Sequence, residues 1–247
     1  MIETLFHPEQ ELPLLKQEEF RALLEALVII RHGKTRLNEE KRLQGSSDEA
    51  LSESGKTEMI AQAEALVDVP HQIALIISST MKRATQTSEI FGQILELPTQ
   101  TLEGLEEYGH GDWEGEEVAT ILADKLNEAW TGRRISHELE NGVPPHHGES
   151  FLIFLERVNQ ALHQLNRLKT TFTLAPESKI AIVAHSEVIR AIRFLYLLAN
   201  ELPGSRTISA MQKFEQQFSF TPNGDFIKIP HGLVQLNLEN YSLQSIE

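Results

Sequence analysis

The chain reads as an α/β protein: a three-layer α/β/α arrangement with a mostly parallel central sheet, plus a small helical or loop cap insertion. Three observations carry that reading. Short apolar runs of strand length recur at residues 27–30, 73–77 and 180–184. Segments with helical apolar spacing alternate with them, the pattern of a parallel sheet covered on both faces. Two of the runs end on a histidine, at Arg31-His32 and at His185-Ser186. Open α/β sheets build their ligand sites at the carboxyl ends of strands.

The elements follow in order. Residues 1–25 read as an N-terminal helical extension of a domain spanning 26–247. Pro13 can open a helix at its first position, and Leu14, Leu15, Phe20, Leu23, Leu24 and Leu27 form an apolar stripe. The stripe predicts a helix packed on the domain's own surface, with a homodimer contact as the alternative. After the strand over 27–30, Ser52 or Ser54 caps a helix whose Met59, Ile60, Ala63, Leu66 and Val67 share a face. A strand over 73–77 leads into a helix carrying Ala84, Ile90, Phe91, Ile94 and Leu95. Residues 116–149 fit the rhythm poorly. They hold Trp130, Arg133, Arg134, His137 and Gly142-Val143-Pro144-Pro145-His146-His147-Gly148, and read as a cap-like excursion over one end of the sheet. Ser150 caps the next helix, with Phe151, Phe154, Leu155, Val158, Leu162 and Leu165 on one side. A strand over 180–184, a buried helix over 188–199 and an alternating strand over 233–238 complete the pattern.

Charge narrows the partners. The 247 residues carry 22 Lys+Arg against 36 Asp+Glu, a net charge of −14. A field of that sign repels nucleic acid and anionic membranes, so neither is an expected partner. Any phosphate-binding arginines must be concentrated in a pocket. The absence of cysteine removes disulfides, thiolate metal sites and a cysteine nucleophile. No leader pattern opens the sequence, and no run approaches the ~18 apolar residues of a membrane helix, so a cytoplasmic protein is expected.

The strand exits suggest phosphoryl chemistry. Arg31 and His32 follow the first strand, Ser78-Ser79-Thr80-Met81-Lys82-Arg83 the second, and His185 the third. A glycine-rich loop adds Glu106, Glu107, Tyr108 and His110. Arginine can bond two phosphate oxygens at once, and neutral imidazole is a nucleophile near pH 7. A leaving alkoxide needs a proton, which a carboxylic acid can donate. Phosphoryl transfer asks for little beyond positioning and charge stabilisation. His146-His147 lacks the helical spacing of a metal pair, so no metal is expected. Trp113 is expected to anchor its loop by packing. The run around Glu116 and Glu117 is expected to be an exposed first helical turn.

Arg31-His32-Gly33-x-Thr35-x-x-Asn38 resembles the signature of the histidine phosphatase superfamily, also called phosphoglycerate-mutase-like. The likeness continues in order through Arg42-Leu43-Gln44-Gly45, Asp48-x-x-Leu51-x-x-x-Gly55 and Ser78-Ser79-x-x-x-Arg83-Ala84-x-Gln86-Thr87. It then runs through Leu105-x-Glu107-x-x-x-Gly111-x-Trp113-Glu114-Gly115, Gly148-Glu149-Ser150 and Val183-Ala184-His185-Ser186. Four positions depart from the usual pattern. Glu106 stands where arginine is frequent, Ser186 where glycine is common, Ala50 where proline is common, and Lys34 where an acidic residue or Gln is usual.

The resemblance implies roles. His32 would be the nucleophile, Glu107 the general acid, and Arg31, Arg83 and His185 the groups that bind the phosphoryl group. Asn38 and Gln44 would be further substrate contacts, and no cofactor or metal is implied. The short excursion between Gly115 and Gly148 resembles the phosphatase branch, so the expected activity is hydrolysis of a small phosphorylated metabolite. A cofactor-dependent phosphoglycerate mutase is the alternative. A non-catalytic phosphate-binding or interaction module would typically have lost His32 or the acid.

Overall fold

The computed structural model describes residues 11–68, 72–123, 147–171, 177–201, 231–236, 238 and 243–245. The chain begins with α1 (Gln17–Glu25) and β1 (Leu27–Arg31), then the one-turn α2 (Arg36–Glu39), α3 (Glu53–Val67) and β2 (Ile73–Ser78). It continues through α4 (Lys82–Leu95), β3 (Thr99–Thr101), a 3-10 turn (Gly111–Trp113) and α5 (Val118–Ala123). After them come α6 (Phe151–Thr171), β4 (Lys179–Ala184), α7 (Ser186–Glu201), β5 (Gly232–Leu236) and β6 (Leu243–Ser245).

The strands form one sheet in the order β3-β2-β4-β1-β5-β6. The first four are mutually parallel, while β5 and β6 add antiparallel to the β1 edge. The mostly parallel α/β expectation therefore holds. Side chains alternate across a strand, and the alternation builds the layers. Ile29, Leu75, Ile77, Ile180 and Ile182 face a core shared with Phe20 of α1, Phe154 and Leu162 of α6, and Ile192 of α7. Ile30, Ile76, Ala181 and Val183 face the opposite side, against Met59 and Ala63 of α3 and Ala84 and Phe91 of α4.

Capping resolves several element starts. Ser52, not Ser54, caps α3: its hydroxyl accepts from Gly55 N at 3.1 Å. Ser150 caps α6 by accepting from Ile153 N at 3.2 Å. The expected α3 face needs correction. Met59 and Ala63 are buried, but Ile60 is 40% and Val67 55% exposed. Each follows a core-facing position by one residue, which on a helix is a turn of ~100° away from the core.

The α1 stripe is spent on the chain's own core. Phe20 and Leu23 are fully buried, and the Phe20 ring meets Tyr196 of α7 edge-on at 5.4 Å. The carbonyl of Pro13 accepts from Asn159 Nδ2 at 3.1 Å, and Lys169 and Lys179 donate to the carbonyls of Ala22 and Glu25 at 2.6 Å each. Of the cap-like excursion, α5 and residues 147–149 are described; Trp130, Arg133, Arg134, His137 and His146 lie outside the described residues. β5 ends at Leu236, two residues before the expected limit.

Candidate active site

Sheet register brings the two histidines together. β1 and β4 run parallel with Arg31 opposite Ala184, so both strands finish at the same level. His32 N–H donates to the Ala184 carbonyl at 3.1 Å, one further rung of the ladder. The two imidazoles then stand with ring centroids 5.0 Å apart. His32 opens on a cavity of about 540 Å³ whose wall also includes Arg31, Asn38, Gln44, Arg83, Glu107 and His231.

Hydrogen bonds define both tautomers. His32 Nδ1 lies 2.8 Å from the Gly33 carbonyl, which can only accept, so Nδ1 carries the proton and Nε2 keeps a lone pair. His185 is the reverse. Arg83 Nε–H donates to its Nδ1 at 3.2 Å, so Nε2 carries the proton and donates to Ser79 Oγ at 2.9 Å. Burial, followed by the charge of Arg83, lowers the pKa of each histidine well below the ordinary value, so both are neutral imidazoles.

Arg83 is fully buried. Besides His185 it donates to the carbonyls of Ser47 at 2.7 Å and Gly45 at 2.9 Å. It thereby holds the loop after α2 against α4 and still keeps two of its five N–H groups. Gly45 has φ +57°, and a Cβ there would run into the Glu114 carboxylate. Burial lowers Arg31 and Arg83 to about 10, so both remain cationic at neutral pH.

Glu107 is buried and lines the same cavity. Its Oε1 accepts from the N–H groups of Tyr108 and Glu187, both at 3.1 Å, and its Oε2 meets the Ser186 hydroxyl at 3.1 Å. Burial first, then the neighbouring Glu187 carboxylate, raises its pKa above the ordinary carboxyl value. Glu106 turns away, accepting from Thr80 Oγ1 at 2.6 Å and Gly104 N at 2.7 Å. Of the two amides, Gln44 Oε1 accepts from Thr35 Oγ1 at 2.9 Å, and its buried Nε2 has no partner among the described residues. Asn38 is more taken up by the local turn, its Oδ1 accepting from Thr35 N at 3.2 Å.

A family model for the histidine phosphatase superfamily (branch 1) matches residues 27–210. The chain belongs to the histidine phosphatase superfamily. Glucosyl-3-phosphoglycerate phosphatase of Mycobacterium tuberculosis is 33% identical over 168 residues, covering 67% of this chain and 72% of that protein. A protein of Proteus mirabilis named as a probable phosphoglycerate mutase is 30% identical over 159 residues, covering 64% and 67%. The solved structure of the mycobacterial glucosyl-3-phosphoglycerate phosphatase with VO3 superposes with a TM-score of 0.57 at 33% identity, over 67% of this chain and 77% of that one.

Six of the seven residues that the resemblance to histidine phosphatases singles out line this cavity (Arg31, His32, Asn38, Gln44, Arg83 and Glu107), and the seventh, His185, lies buried behind them against His32 and Arg83. Two neighbours were not legible in the sequence. His231 lines the cavity with its ring 5.5 Å from that of His32, and its Nδ1–H donates to the His32 carbonyl at 2.5 Å. Arg157 braces the acid loop from behind. Its guanidinium donates to the carbonyls of Gly104, Glu106 and Glu107 at 3.2, 2.7 and 3.0 Å, and to both Glu149 oxygens at 2.7 and 2.8 Å.

Tyr108 is buried edge-on against Phe154 and donates its hydroxyl to the Glu149 carbonyl at 2.8 Å, while His110 reaches the cavity wall. Trp113 is half-buried, and Glu114 beside it ties the loop down by accepting from Ser46 N at 2.8 Å and His110 N at 2.9 Å. Glu116 and Glu117 precede α5 rather than open it. His147 is exposed and pairs with Asp112. No group of three metal-ligating side chains occurs among the described residues.

Proposed function

We propose that this histidine phosphatase hydrolyses phosphomonoesters of small metabolites through a phosphohistidine on His32. The observation that carries the reading is the tautomer of His32: a neutral ring whose Nδ1–H is spent on the Gly33 carbonyl, leaving the Nε2 lone pair as nucleophile. Charge supports it. Three guanidinium groups (Arg31, Arg83 and the buried Arg190) stand against Glu187 and Glu107. With Glu107 protonated the set sums to +2, the complement of a phosphate dianion.

In the first step His32 Nε2 attacks phosphorus. The P–O bond breaks, its electron pair goes to the leaving oxygen, and Glu107 donates the proton that makes an alcohol. Arg31 and Arg83 spread the charge of the equatorial oxygens, and the His185 Nε2–H joins them by exchanging Ser79 Oγ for a phosphoryl oxygen. In the second step water attacks the phosphohistidine, and the P–N bond returns its pair to Nε2. Dihydrogen phosphate gives one proton back to the Glu107 carboxylate, which restores the acid.

The name of the mycobacterial relatives, glucosyl-3-phosphoglycerate phosphatase, supports opening a substrate panel with glucosyl-3-phosphoglycerate. Phosphate release from that panel without added metal, beside His32→Ala, tests the proposal. Release by the parent and none by the variant is expected; release that survives in His32→Ala would remove the nucleophile. The likeness to the Proteus mirabilis protein favours a second reading, transfer between phosphoglycerate positions. Isomer exchange exceeding phosphate release would support it.

A further inference from the structure

The segment after His185 carries a second buried carboxylate that the scheme above leaves unused. α7 begins there, and its first turn sets three groups against Glu107. Glu187 N–H donates to Oε1, the Ser186 hydroxyl meets Oε2, and the Glu187 carboxylate is ion-paired with Arg190. Glu187 and Arg190 are 5% and 6% exposed. An oxygen that already accepts two backbone N–H groups has no place for a proton of its own. The proton of neutral Glu107 therefore sits on Oε2, which still accepts from the Ser186 hydroxyl.

The charged groups facing Glu107 pull in opposite directions. Arg83 from α4 and Arg31 from the end of β1 favour the carboxylate, as do the N–H groups at the start of α7. His32 and His185 add no charge, being neutral. Burial and the Glu187 carboxylate favour the acid. Without Glu187, two arginines and a helix start would face a carboxyl group with only burial to keep its proton in place.

We propose that Glu187, held by Arg190, is a positioning residue for the proton on Glu107 Oε2: its negative charge offsets Arg31 and Arg83 so that the acid stays loaded until the leaving group takes the proton. Its carboxylate acts through Glu107 rather than on substrate. The inference rests on Glu107 being the general acid.

Two esters separate this role from a structural one. An alkyl phosphate needs the proton as its alkoxide leaves, whereas an aryl phosphate with an acidic phenol needs it little. The experiment records kcat against pH on both esters for the parent, Glu187→Gln, the Glu187→Gln/Arg190→Met pair and Glu107→Gln. Glu187→Gln keeps the backbone N–H, and the double variant replaces the ion pair without leaving Arg190 unpartnered by its carboxylate. At pH 7, Glu187→Gln should lower alkyl turnover about tenfold and aryl turnover less than about threefold. Its basic limb should move to lower pH, and the double variant should move it in the same direction. Equal losses on both esters with an unmoved limb, or no change in either variant, would overturn the proposal. Glu107→Gln tells the two failures apart. Full alkyl activity in that variant would remove Glu107 as the acid, and with it this inference. Lost alkyl activity there beside an unmoved Glu187→Gln limb would remove only the inference.

Discussion

Replacing Arg157 with methionine should loosen the acid loop from behind without touching the cavity. The side chain is 22% exposed and its Glu149 partner 21%, so water replaces only part of what is lost. Three carbonyls, of Gly104, Glu106 and Glu107, lose a charged donor, at about 1 kcal/mol each. Glu149 loses its partner, which adds about 1–2 kcal/mol. Methionine gives up the guanidinium that lies over the Phe154 ring at 4.8 Å and leaves a thioether to pack there. The expected loss is about 4 kcal/mol of unfolding free energy, read from urea denaturation. A loop that lets Glu107 drift by about 1 Å should also cost about 10²-fold in kcat on alkyl phosphates. A variant within about 1 kcal/mol of the parent and with unchanged kcat would refute the reasoning. A loss confined to KM would refute the link to Glu107.

Three further outcomes follow from the geometry. His231→Asn keeps an N–H near the place of Nδ1 and should retain kcat within about threefold, whereas His231→Phe should lose about tenfold, the cost of one hydrogen bond to the nucleophile's carbonyl; equal kinetics in the two variants would count against that bond. Glu107→Gln should cut kcat on alkyl phosphates by about 10²–10⁴-fold, while Glu106→Gln, facing Thr80 and Gly104, stays near the parent; reversed effects would exchange the two acids. His32, His185 and His231 all have depressed pKa values in the folded chain, the last at about 3, against 6.5 unfolded. Between those values the unfolded chain binds more protons, so stability present at pH 7 is lost as pH falls below 6.5, by about 1.4 kcal/mol per pH unit for each histidine. Glu107, raised in the fold, opposes this with the contribution of one group. Urea midpoints that stay level from pH 7 to pH 5 would contradict the buried neutral histidines.

The sequence made the sheet legible where strands are apolar on both faces. β1, β2 and β4 are such strands, buried under helices on each side. β3, Thr99-Gln100-Thr101, is polar and exposed, and only its pairing to β2 makes it a strand. Site residues were legible where a motif sits on a strand exit, because parallel register then converts sequence position into proximity; His32 and His185 meet for that reason. The resemblance singled out Glu107 rather than Glu106, and the structure gives the two carboxylates different partners, Thr80 for Glu106 and Ser186 for Glu107. Arg157 and His231 were hidden for a physical reason. An arginine on the polar side of an amphipathic helix looks like any solvated one until the loop it braces is in place. His231 lies 199 residues from His32, beyond the matched family span, and the antiparallel addition of β5 to β1 brings the two together.

The central claim is a covalent bond between phosphorus and His32 Nε2. Quenching the enzyme in alkali during turnover of a phosphomonoester, digesting it and mapping the phosphorylated peptide by mass measures that bond directly. The account predicts one phosphohistidine, on His32, absent from His32→Ala and accumulating in any variant slowed in hydrolysis. Phosphate on another residue, or turnover in which no phosphohistidine forms while phosphate is released, would contradict it.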